Sequence, residues 1–130
     1  MGNVSEKENK KIEEKEMILV DETIIRDKIY VVRGQKVMLD MDLAEIYGYT
    51  TKAFNQQVKN NVERFDEDFR FQLTLDEYEN LRSKNLTSSW GGVRYLPYAF
   101  TEQGIYMLMT VLKGELAVRQ SKALIRILRE

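Results

Sequence analysis

Apolar positions begin to form a pattern near Ile18, and residues 1–16 before it are almost all polar, dominated by Lys, Glu and Asn. This division predicts a flexible charged tail over residues 1–17 and one folded domain over residues 18–130. Ile29, Tyr30, Val31 and Val32 form a β-branched and aromatic run, and Val37, Met38 and Leu39 resume it after Arg33-Gly34-Gln35. Two such runs with Gly at the bend predict a hairpin. The period then changes. Leu43, Ala44, Ile46 and Tyr47 predict a short helix that Asp40 caps, with Asp42 adding negative charge to its first turn and Gly48 stopping it. Thr50 or Thr51 caps a second helix, read as extending to about Phe65. At ~100° per residue, Phe54, Val58, Val62 and Phe65 share a sector of about 80°. Lys52, Gln56, Lys59, Asn60 and Glu63 fall on the opposite side.

Further along, Phe69, Phe71 and Leu73 alternate with Arg70 and Gln72, which is strand periodicity. Thr74 and Glu77 have capping-box spacing, with Leu73 and Tyr78 placed as a hydrophobic staple, so a helix follows to about Ser83. Residues 85–92 read as a polar loop and 93–98 as an extended stretch held by Pro97. Thr101 caps the next helix, with Phe100 and Ile105 as its staple and Ile105, Leu108, Met109 and Leu112 as its apolar stripe. Gly114 ends it. A final helix runs towards Glu130, with Leu116, Leu124, Ile127 and Leu128 read as facing inward and Arg119, Lys122, Arg126 and Arg129 opposite them. The pattern predicts an α+β fold: a helix-turn-helix, winged-helix-like core with a small β-hairpin or short sheet and C-terminal helices.

Composition removes whole classes of chemistry. The chain has no Cys and no His, which excludes disulfides, thiol nucleophiles, His general bases and zinc sites built on those residues. Asp40, Asp42 and Glu45, or Asp66, Glu67 and Asp68, offer carboxylates to Mg²⁺, but helix capping and a turn account for them. No metal, no cofactor and no catalytic residue is expected. The N-terminus lacks a signal-peptide apolar core, and no apolar run approaches a membrane span, so a cytoplasmic location is expected. The 20 basic and 21 acidic residues nearly cancel. Any polyanion partner must therefore be recognised through local charge.

The segment from Asp40 to Lys59 has helix-turn-helix grammar. Ala44 is small enough for a close helix crossing, and Gly48 tolerates positive φ at the turn. Leu43, Tyr47, Tyr49, Phe54 and Val58 occupy positions that bury between the helices. Thr51, Lys52, Asn55, Gln56 and Lys59 lie on or near the free face of the second helix. Amide side chains can bond the adenine edge in a major groove, and Lys can reach phosphate or guanine. Arg94, on a wing-like segment beside Trp90, is a sixth candidate, because Arg suits a minor groove. Tyr95, Tyr98, Phe100 and Tyr106 can be read as a base-stacking platform, but their spacing better fits a packed strand-to-helix junction. Pattern alone leaves a second reading open, an αα-hairpin whose polar face is solvated or binds a partner protein.

The strings Arg33-Gly34-Gln35-Lys36-Val37-Met38-Leu39-Asp40 and Asp42-Leu43-Ala44-Glu45-Ile46-Tyr47-Gly48 resemble the opening of the phage-type ORF-six N-terminal domain family. Asn55-Gln56-Gln57-Val58-Lys59-Asn60-Asn61, Arg64-Phe65-Asp66-Glu67-Asp68-Phe69 and the run from Arg94 to Gly104 continue the resemblance, in order, over about residues 24–130. That family is related to KilA-N and Bro-N DNA-binding domains. The resemblance implies a double-stranded-DNA-binding module of a phage or prophage regulator or antirepressor, often joined to a separate C-terminal domain. A homodimer and such a further domain both remain open.

Overall fold

The computed structural model describes residues 22–84 and 95–130. The expected tail over 1–17, the polar loop over 85–92, Trp90 and Arg94 lie outside the described residues. After a helical segment, α1 (22–27), two strands form the expected hairpin, β1 (Tyr30–Val32) and β2 (Gln35–Leu39). Arg33 and Gly34 join them, both at positive φ (54° and 75°). That geometry matches the twist of the paired strands, and Gly supplies it without steric cost. Helix α2 (Asp40–Tyr47) follows β2 with no intervening residue, and α3 (Thr51–Lys59) follows α2. A 3₁₀ turn (Val62–Arg64), strand β3 (Arg70–Gln72), helix α4 (Leu75–Lys84), strand β4 (Tyr98–Phe100) and helices α5 (Glu102–Leu112) and α6 (Glu115–Leu128) complete the chain.

The four strands form one antiparallel sheet in the order β1-β2-β4-β3. Strand β2 therefore pairs with β4, with Met38 opposite Phe100 and Leu39 opposite Ala99. Alternation along β2 sends side chains to opposite faces. Met38 and Phe100 join Leu43, Phe54, Val58, Ile105, Leu108 and Leu124 in a core built mainly from α2, α3, α5 and α6. Val37, Leu39, Ala99, Phe71 and Leu73 join Tyr78 and Leu81 of α4 on the other face. Both faces are covered, which explains why Val37-Met38-Leu39 reads as an unbroken apolar run rather than an alternating one.

Local signals perform as expected at most element ends. Thr74 and Glu77 form a reciprocal capping box: the Thr74 N–H donates to Glu77 Oε1 at 2.9 Å, and the Glu77 N–H donates to Thr74 Oγ1 at 3.1 Å. Thr101 Oγ1 accepts from the Gly104 N–H and donates to the Asp68 carbonyl. This ties the start of α5 to the chain entering β3. A Cβ on Gly104 would lie 2.0 Å from the Phe69 carbonyl oxygen, so glycine is a packing requirement there.

Three expectations are corrected. Asp40 does not cap α2: Leu39 holds the cap position without a side-chain bond, and Asp40 is the first helical residue, fully buried. Since β2 runs straight into α2, the Asp40 carboxylate turns inward. Asp42 is buried as well, with Lys28 Nζ 3.5 Å from its Oδ1. Helix α3 stops at Lys59 rather than near Phe65, and Val62 is half-exposed as a result. The Asn61 amide donates to the Gln57 carbonyl at 3.0 Å, a local bond that competes with helix continuation. Leu116 is exposed, whereas Ala117 and Ser121 face inward ahead of Leu124, Ile127 and Leu128. Small residues are needed there because α6 packs closely on α2, and buried Ser121 shares a hydrogen bond with the Tyr47 hydroxyl. Burial pushes the Tyr47 pKa up to about 12.

Candidate nucleic-acid interface

Helices α2 and α3 meet through a three-residue connection. Gly48 sits at φ 78° and ψ 28°, and the Tyr49 N–H returns to the Ala44 carbonyl at 2.8 Å, closing the end of α2. Thr50 then caps α3 by accepting from the Ala53 N–H at 3.1 Å. Ala44 is 1% exposed, which is what lets the helices cross closely. Phe54 and Val58 anchor α3, with the Phe54 ring stacked on Tyr47 at 6.3 Å and edge-on to Phe100 at 5.6 Å between centroids. This anchoring decides which side of α3 faces water.

Lys52, Gln56 and Lys59 are exposed and lie within a sector of about 60°, opposite Phe54 and Val58. Thr51, at the helix start, is half-buried. The Gln56 amide donates to Asn60 Oδ1 at 2.8 Å, one helical turn on. Helix α3 contains two lysines and no acidic residue. Among the described residues, no carboxylate pairs with Lys52 or Lys59 within 4 Å. Other cations are neutralised locally: Arg33 by Glu77, Arg26 by Glu130, Arg129 by Glu102 and Lys28 by Asp42. A chain of formal charge -1 thus presents a locally cationic, amide-bearing helix face.

Asn55 is arranged differently from its neighbours. Its amide Nδ2 donates to Asp40 Oδ2 at 2.9 Å and to the Tyr95 hydroxyl at 3.1 Å. Its Oδ1 is buried, with no hydrogen-bond partner among the described residues. Sequence reading missed this network because Asp40 has an obvious local use as a cap, and 40 residues separate Asn55 from Tyr95. The aromatic candidates divide likewise. Phe100 is core, Tyr98 lies beneath Arg70 with the guanidinium 4.1 Å from its ring centre, and Tyr106 bonds Arg129. Among the described residues no three potential metal ligands converge, and no helix is long and apolar enough to cross a membrane.

The sequence profile of the ORF6N domain matches residues 27–111, which takes in the hairpin, the helix-turn-helix, the sheet and nearly all of α5. The chain belongs to the ORF6N domain family. This is a phage-type, non-catalytic domain family. Comparison with curated proteins and with solved structures gives no match. Within this ORF6N chain, α6 lies beyond the matched span yet completes the core beneath α2.

Proposed function

We propose that this ORF6N chain binds double-stranded DNA through α3, as the DNA-binding domain of a phage- or prophage-type transcriptional regulator or antirepressor acting in the cytoplasm without catalysis. The observation that carries this reading is the acid-free, cationic, solvent-facing surface of α3, placed as the second helix of a helix-turn-helix. Lys52 and Lys59, seven residues or about 10 Å apart along the axis, follow one strand of phosphate backbone. Thr51 supports contact at the helix start, and Gln56 offers an amide to a base edge. Arg94, by its residue type, is a further candidate for a groove contact.

Fluorescence anisotropy on a selected duplex and a scrambled one, at two salt concentrations, tests the proposal. Lys59→Ala weakens binding to both duplexes and lowers the salt slope by about 1. Gln56→Ala costs about 1–3 kcal/mol on the selected duplex and much less on the scrambled one. Lys52→Ala and Lys59→Ala proteins that bind like the parent would transfer the polar face of α3 to a protein partner.

A further inference from the structure

Asp40 is a fully buried carboxylate that accepts hydrogen bonds from three residues. Its Oδ1 accepts from the Met41 N–H of its own helix at 2.9 Å. Its Oδ2 accepts from Asn55 of α3 at 2.9 Å and from the Tyr95 hydroxyl, on the approach to β4, at 3.3 Å. Burial pushes the Asp40 pKa above the ordinary carboxylate range, and the Asn55 bond is the strongest of the contacts pulling it back. An interior anion needs such donors, because each lost partner leaves desolvation uncompensated.

Bidentate recognition of adenine uses both ends of an Asn amide. In Asn55 the nitrogen is held by Asp40 and Tyr95, and the oxygen is buried. Asn55 cannot present that edge to a base without breaking the network. We infer that Asn55, with Tyr95, is a positioning residue that fixes the roll of α3 on Asp40, so that Lys52, Gln56 and Lys59 are aimed together. The inference rests on the DNA-binding reading of α3. Hydrophobic anchoring by Phe54 and Val58 holds the helix down but tolerates small rotations. A short hydrogen bond on the flank, between the anchored side and the free side, does not. Sequence discrimination, which depends on sub-ångström aim, therefore relies on this network more than backbone affinity does.

The test combines selection from randomised duplexes with anisotropy for the parent, Asn55→Ala and Tyr95→Phe. Tyr95→Phe keeps the ring and removes one donor, so it reports on the network even if Asn55→Ala folds poorly. Both variants are expected to lose roughly tenfold in affinity for the selected duplex, the scale of a hydrogen bond to a charged group, and less than about threefold for scrambled DNA. The preferred base at every position stays that of the parent, and hydrogen-exchange protection of α3 amides falls relative to α5. Relaxed preference at one base pair in Asn55→Ala would make Asn55 a direct reader and overturn the inference. Unchanged discrimination in both variants also overturns it, while leaving DNA binding by α3 intact. Failure of the parent to bind any duplex overturns the functional reading, and the inference with it.

Discussion

On one face of the sheet, Met38 and Phe100 meet helices α2, α3, α5 and α6, and three aromatic pairs link Tyr47 of α2, Phe54 of α3, Phe65 and Phe100 of β4. On the other, Val37, Leu39, Phe71 and Ala99 meet one ten-residue helix, α4, which is fastened by its capping box and an Arg33–Glu77 ion pair at the surface. The first side depends on contacts between residues far apart in sequence, and α3 is mounted there. The second also joins residues far apart in sequence, from Val37 to Ala99, but in a smaller buried cluster, with the capping box and one partly exposed charge pair at its edge. The proposed reading face of α3 sits on the side with the larger packed core. The other side closes the sheet with the smaller cluster.

Perturbing each side in turn tests this contrast. The largest effect is expected at Gly104, where an added Cβ meets backbone rather than a movable side chain. Gly104→Ala should destabilise the domain by at least about 3 kcal/mol, towards the upper end of overpacking costs. Urea unfolding measures it, and a loss below about 1 kcal/mol would mean that the junction between α5 and the entry to β3 yields easily. Next comes Ala44→Leu at the α2–α3 crossing, where about 1–3 kcal/mol is expected. An unchanged melting temperature would show that the crossing has room and that close approach does not set the position of α3.

The smallest effect belongs to the α4 side and depends on pH. The hydrogen bond from Arg33, with help from Thr74, lowers the Glu77 pKa from 4.5 to about 2. A carboxylate with a depressed folded-state pKa contributes stability that is present above its unfolded value and lost as pH falls through the folded one. The contribution should therefore be complete above about pH 5 and disappear towards pH 2. Solvent screening limits it to under about 1 kcal/mol. Urea midpoints of the parent and Glu77→Gln, taken between pH 6 and 2, should converge as pH falls. A constant gap would show that the charge on Glu77 contributes nothing.

Features settled by neighbours within about four residues are legible in the sequence. They include the Arg33-Gly34 turn, the stop at Gly48, the caps at Thr50 and Thr101, the Thr74–Glu77 box and the polar face of α3. Each follows from a backbone preference or a hydrogen bond that one short stretch of chain makes with itself. Tertiary structure alone decided that β2 pairs with β4, that Asp40 turns inward, that Asn55 spends its amide on Asp40 and Tyr95, and that Leu116 yields the inner face of α6 to Ala117 and Ser121. In each case the deciding partner is remote in the chain. A polar residue has the same local signature whether its hydrogen bonds go to water, to DNA or to a buried carboxylate, and only packing determines which of these it meets.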